Sequence, residues 1–179
     1  MFYCFLADGF EETEALATVD VLRRAKIDVT TVGVGAKTVT GSHNIPVVAD
    51  ITDKELNTDD ISGVILPGGM PGTLNLEKSD EVKKAVSLCS ENNLFICAIC
   101  AAPSILGHMG LLNGKNATCF PGFEDELIGA EYTGKCVTTD GKIITGKGAG
   151  AAVDFGLEIV SNVLDKQTSQ KIREALQCP

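Results

Sequence analysis

Short runs of apolar and β-branched residues alternate along this chain with stretches in which apolar side chains recur every three or four positions. The runs at Phe2–Ala7, Val29–Val34, Gly63–Leu66, Leu94–Ala98, Ala117–Cys119 and Ile143–Thr145 read as strands of a sheet covered on both faces, because such strands need no polar side. Between them, Glu12–Ala25 places Leu16, Val19 and Leu22 on one stripe, and Glu81–Glu91 repeats Val82, Ala85, Val86 and Cys89 at i, i+3, i+4, i+7. Val153–Leu164 does the same through Val153, Leu157, Val160 and Leu164, and a last helix is expected over Gln167–Leu176. Strand and helix in turn predict an α/β fold: a doubly wound, mainly parallel sheet sandwiched by helices.

Two interruptions add antiparallel pieces. Thr38–Ile51 holds Gly41-Ser42-His43-Asn44 between β-branched residues, and Thr139-Asp140-Gly141 joins Lys135–Thr138 to Lys142–Ile144. Both read as β-hairpins, the second through its Asp-Gly turn. With 179 residues, 44% hydrophobic and 22% charged, residues 1–179 are expected to form a single domain with a sizeable core. A net charge of −9 opposes phosphate backbones and anionic lipid, so nucleic acid and membrane are not expected partners. Met1–Ala7 has no basic leader and reads as a first strand, which points to the cytoplasm.

Seven scattered cysteines do not outline a disulfide framework. The Cys97-x-x-Cys100 spacing fits neither a redox helix start nor a zinc site, since Cys97 falls inside a strand and no second metal-ligating pair accompanies it. Cys97 is therefore assigned to packing, and no metal is expected. Cys100 differs. It lies where the Leu94 strand gives way to a short helix through Ala101-Ala102-Pro103, the place where open sheets carry their reactive groups. The first-turn N–H groups of that helix are expected to make the thiol easier to ionise.

The loops at the carboxyl ends of parallel strands gather on one side, so three further segments are expected near Cys100. Glu11, Glu12 and Glu14 open a helix; simple helix-start electrostatics accounts for Glu12, whereas Glu11 and Glu14 share a face and one of them can turn toward the thiol. Pro67-Gly68-Gly69 offers either bare backbone N–H groups for an oxyanion or merely a tight turn. Gly146-Lys147-Gly148-Ala149-Gly150 lacks nucleotide-loop spacing and reads as a lead-in to the Val153 helix.

Taken together, Glu11-Glu12-Thr13-Glu14-Ala15, Leu66-Pro67-Gly68-Gly69, Ala98-Ile99-Cys100-Ala101-Ala102-Pro103 and Asp154-Phe155-Gly156-Leu157 resemble the ThiJ/PfpI superfamily, in its DJ-one and YajL-like branch. The resemblance spans nearly the whole chain. It implies a flavodoxin-like sandwich, a homodimer, Cys100 as nucleophile and oxidation sensor, Glu14 as the protonated glutamate beside it, and Gly69 and Ala101 as oxyanion donors. It also implies cofactor-free glyoxalase or deglycase chemistry on methylglyoxal, small α-oxoaldehydes or their adducts with amino acids and proteins. A peroxide-responsive sensor or chaperone, with Cys100 oxidised to sulfinate, is the alternative.

The chain departs from the family pattern at two places where a histidine base stands elsewhere: Phe120 fills one and Ala101 the other, which counts against peptidase or amidotransferase activity. A thiamine-biosynthetic role rests on the family label alone. His43 takes a position that the family often fills with arginine and is expected at the pocket rim or dimer interface. His108 is expected to be a helix-end residue.

Overall fold

The computed structural model describes residues 1–178. It contains eleven strands: β1 (Phe2–Leu6), β2 (Val29–Gly33), β3 (Thr38–Thr40), β4 (Pro46–Val48), β5 (Ile51–Thr52), β6 (Gly63–Leu66), β7 (Phe95–Ile99), β8 (Asn116–Ala117), β9 (Glu131–Tyr132), β10 (Val137–Asp140) and β11 (Ile143–Gly146). The helices are α1 (Glu12–Arg24), α2 (Gly72–Lys78), α3 (Asp80–Glu91), α4 (Pro103–His108), α5 (Ala152–Val163) and α6 (Lys166–Ala175). Seven strands form one sheet in the order β10-β11-β7-β6-β1-β2-β5, parallel except for the β10–β11 hairpin. No helix among the described residues is long and apolar enough to cross a membrane.

Because successive strand side chains point to opposite faces, one run of apolar residues feeds two cores. Phe2, Cys4, Leu6, Ile65, Cys97, Ile99 and Ile144 pack under α1, α5 and α6, against Val19, Leu22, Phe155, Ile159, Val160 and Ile172. Tyr3, Phe5, Val64, Leu66, Ile96, Ala98 and Ile143 pack under the opposite helices, against Leu76, Val82, Ala85, Val86, Cys89, Ile105 and Leu106. Each large side chain removed from water contributes about 1.5–3 kcal/mol, so the two faces together fix the register. That register pairs Leu66 with Ala98 and Gly146 with Ile99. The residues just past β6, β7 and β11 therefore arrive at one edge together.

The doubly wound sheet and both hairpins are as the sequence predicts, and α3 buries the expected Val82, Ala85, Val86 and Cys89. Four expectations need correction. Ala117–Cys119 is not a strand of the main sheet: Asn116–Ala117 pairs with Glu131–Tyr132 in a separate two-stranded sheet. Side-chain bonds replace a backbone ladder there, with Thr118 N–H donating to Thr145 Oγ1 and Thr118 Oγ1–H to the Lys135 carbonyl, each at 2.8–2.9 Å. In α1 the buried stripe is Ala15, Thr18, Val19, Val21 and Leu22, leaving Leu16 40% exposed, because α1 leans on α5 closely enough that a Cβ on Gly156 would meet Val21 Cβ at 2.9 Å. By the same packing, Val153 is half-buried and Leu164 exposed, while Phe155, Gly156, Ile159 and Val160 carry the α5 contact. Finally, Asp140 belongs to β10, opposite Ile143, and the turn is Gly141-Lys142; the Asp140 carboxylate is held in the strand by Asn116 N–H at 2.9 Å.

Candidate active site

Cys100 follows β7 directly, in a left-handed backbone conformation with φ 66°. A side chain is disfavoured there by about 1–2 kcal/mol, and the neighbouring backbone holds it. Cys100 N–H donates to the Gly146 carbonyl at 2.9 Å, and its carbonyl accepts from Phe120 N–H at 2.8 Å. The thiol is thereby turned out of the strand and remains partly accessible.

Glu14 reaches it from α1. Glu11 caps that helix, accepting from Glu14 N–H at 2.7 Å, while its own N–H donates to the Gly68 carbonyl at 2.9 Å. These bonds tie the helix start to the β6 loop and send Glu14 inward, where it is 1% exposed. Its Oε2 accepts from Gly68 N–H at 2.8 Å; Oε1 is buried with no nitrogen or oxygen partner, and the carboxyl interacts with the Cys100 thiol. Gly68 is required by this closeness, since a Cβ there would lie 2.6 Å from Cys100 Cβ and 2.9 Å from Glu14 Oε2. The backbone N–H groups of Gly69 and Ala101 are directed at the Cys100 sulfur.

The electrostatics reverses the expectation of an acidified thiol. Burial first, and then the charge and hydrogen bond of Glu14, push Cys100 up to about 12 against the lowering effect of the Gly69 and Ala101 donors. α4 begins only at Pro103 and is six residues long, so its dipole adds little. Burial likewise raises Glu14 to about 7, with Glu11 adding to it and the bonds from Cys100 and Gly68 opposing it. The two groups titrate as a pair. Near neutral pH the pair passes between one and two protons, and a thiolate forms where the proton resides on the carboxyl.

The structure thus brings together Cys100, Glu14, Gly69 and Ala101, and adds Gly68, whose N–H has no assigned role in the sequence reading. His43 stands apart on the β3–β4 hairpin with its ring 70% exposed. Its Nδ1 lies 2.9 Å from Glu12 Oε2 and 3.8 Å from Glu11 Oε1. Glu12 is not the solvated helix-start residue expected from sequence. It is 5% exposed beneath the hairpin and accepts from His43 N–H at 2.8 Å, Ser42 Oγ–H at 3.3 Å and Ile45 N–H at 3.4 Å. Burial alone would raise it; the His43 ring and the surrounding backbone N–H groups instead hold it down to about 2.

Among the described residues, Glu11, Glu12 and His43 place metal-ligating atoms within 4.8 Å of one another. Those carboxylates already satisfy backbone and hydroxyl donors, so hydrogen bonding accounts for the cluster. His108 lies in the last turn of α4, as expected, and bridges Glu77 on α2 (2.5 Å) and Glu126 (2.8 Å). Of the remaining cysteines, Cys4, Cys89, Cys97 and Cys119 are buried, each thiol pushed up mainly by burial, and Cys136 is exposed.

The DJ-1/PfpI family matches residues 2–162, taking in all of these site segments. The chain belongs to that family. Within it, Protein dj-1beta of Drosophila melanogaster is 33% identical over 174 residues, covering 96% of this chain and 93% of that one. A deglycase of Pyrococcus abyssi is 30% identical over 145 residues, or 79% of this chain and 86% of that one. Among solved structures, a cysteine-to-alanine mutant of a DJ-1 superfamily protein from Salmonella typhimurium superposes with a TM-score of 0.94 at 35% identity, covering 99% of this chain and 98% of that one. The flavodoxin-like fold of the DJ-1 proteins is therefore the fold of this chain, and its place in the family is that of a reactive-cysteine, DJ-1-like protein.

Proposed function

We propose that this protein converts small α-oxoaldehydes, free or as early adducts with amino acids and proteins, to 2-hydroxy acids through Cys100 and Glu14, without a cofactor. The observation that carries the reading is the buried Glu14 carboxyl facing the Cys100 sulfur while Gly69 and Ala101 N–H groups converge on the same atom. The deglycase name of the Pyrococcus abyssi relative supports the substrate class.

The sulfur attacks the aldehyde carbon and the Glu14 proton passes to the aldehyde oxygen, giving a hemithioacetal. As negative charge leaves sulfur for oxygen, the Gly69 and Ala101 donors stabilise it there. Glu14, now a carboxylate, removes the proton from the former aldehyde carbon and returns it to the adjacent carbon. The former aldehyde carbon becomes a thioester, which water hydrolyses to the 2-hydroxy acid and the free thiol. One water is consumed and no external oxidant is needed.

The test is lactate formation from methylglyoxal by the wild type, Cys100→Ser and Glu14→Gln. Both variants are expected to fall by at least about 100-fold, the usual scale for loss of a nucleophile or of general acid–base help. Product that forms equally without Cys100 overturns the reading.

A second reading rests on Glu14 alone: a carboxyl raised to about 7 carries a proton that it can donate to a sulfinate on Cys100. Two equivalents of peroxide would form that sulfinate with release of two waters. Selective addition of 32 Da to Cys100, spared in Glu14→Gln, is its signature; the exposed Cys136 serves as the internal control.

We also place the working protein in the cytoplasm as a homodimer. Seven free thiols suit a reducing compartment. Leu16, Ile45 and Val48 are 40–68% exposed on α1 and the hairpin that Glu12 ties together, an apolar face suited to a second copy.

A further inference from the structure

The position beside the nucleophile holds an aromatic ring. Phe120 N–H donates to the carbonyl of Cys100 at 2.8 Å, which fixes the base of its side chain next to the reactive residue. The ring does not fold into the core: Phe120 is 48% exposed, although Cys119 immediately before it is fully buried. The ring lies across bare backbone, since a Cβ on Gly148 would come 3.2 Å from its Cδ2 and 3.7 Å from its Cε2. Gly148 in turn is two residues beyond Gly146, whose carbonyl receives Cys100 N–H. The ring is therefore held at the same sheet edge as the thiol, with about half of the residue's surface open to solvent.

The other loop at that edge ends its glycine pair with Met70, also 48% exposed. Polar competition on the Phe120 side is small. Lys147 turns its Nζ to the Gly134 carbonyl at 3.3 Å, and near Cys119 its positive charge is opposed by the negative charge of Glu124. A negatively charged substituent on the electrophile meets there one cation, Lys147, whose charge Glu124 opposes, whereas an apolar one finds a ring.

We propose that Phe120 makes the mouth of the Cys100 site selective for electrophiles bearing an aromatic or bulky apolar group, so that an aryl α-oxoaldehyde is preferred over methylglyoxal. The inference rests on the proposed function for its substrate class, but ring selectivity toward the thiol is measurable without turnover. Phe120 is a specificity-determining residue in this account and takes no proton.

Two measurements on the full chain test it. The first is the ratio of kcat/KM for phenylglyoxal to that for methylglyoxal in the wild type, Phe120→Ala and Phe120→Tyr. The expected wild-type ratio exceeds about 10, falls by about 10-fold or more in Phe120→Ala, and is restored in Phe120→Tyr, a scale typical of gaining or losing an apolar pocket contact. The second is the ratio of alkylation rates of Cys100 by N-benzyl-iodoacetamide and iodoacetamide, read by mass spectrometry in the same three proteins. It is expected to follow the same order. Equal ratios in the wild type and Phe120→Ala overturn the inference while leaving Cys100-dependent turnover intact. A ring-dependent alkylation ratio with no turnover of either aldehyde supports the selector and overturns the proposed reaction instead.

Discussion

Glu12 and Glu14 sit two residues apart on the first turn of α1, both nearly out of contact with water, yet Glu12 is held down to about 2 and Glu14 is raised to about 7. Burial pushes both upward; what differs is the supply of donors. Glu12 is met by two backbone N–H groups of the hairpin, a hydroxyl and an imidazole. Glu14 receives one N–H, from Gly68, and faces a thiol. Counting the protons offered to each oxygen decides which carboxyl is structural and which is free to exchange one.

The largest way to test that contrast is to remove the strained charge. With its pKa raised from 4.5 to about 7, Glu14 keeps its proton in the folded state while the unfolded chain has lost it. Its contribution to stability is therefore lost as pH rises from 4.5 to 7 and stays absent above, by about 3 kcal/mol. Glu14→Gln is expected to be more stable than the wild type by about that amount at pH 8 and equal to it at pH 4, in urea denaturation. A constant gap at both pH values would mean that the carboxyl is not held neutral by its surroundings.

Glu12→Gln is expected to act in the opposite direction and more weakly. A depressed carboxylate stabilises above pH 4.5 and loses that contribution as pH falls toward 2. With nearby solvent screening the pair, we expect a loss of about 1 kcal/mol at pH 6 that closes near pH 2. Thermal melts at the two pH values check it, and a variant as stable as the wild type at pH 6 would erase the contrast with Glu14.

Smallest is His108→Gln, which removes an imidazole pairing with two carboxylates at the surface rather than under a hairpin. Its pKa is raised by the hydrogen bonds its ring donates to Glu126 first and Glu77 next, so its contribution is present below 6.5 and lost as pH rises through the folded value. Less than about 1 kcal/mol is expected at pH 5.5 and none at pH 9. A larger effect at pH 9 would show that packing, not charge, is what the ring supplies.

Much of this architecture is legible in the order of the amino acids. The apolar run ending at Cys100, the stripe of α3 and the turn residues of the first hairpin are local signals, each set by neighbours within a few positions. The inward position of Glu14 beside Cys100 is expected from a shared helix face plus family resemblance. What escapes such reading is set by distant partners. Glu12 looks solvated until a hairpin more than thirty residues away closes over it. Leu16 looks buried until the position of α5 rotates the stripe. The upward shift of Cys100 is set first by burial under the assembled fold and then by Glu14 arriving from the first helix, neither of which residues 94–107 carry by themselves.

The left-handed turn at Cys100 has one more consequence. Glycine would adopt that backbone pose freely, so the fold tolerates a standing instability of about 1–2 kcal/mol to present sulfur at that point. A screen that ranked variants on heat resistance alone would drift toward glycine at residue 100 and discard the sulfur on which the proposed chemistry rests.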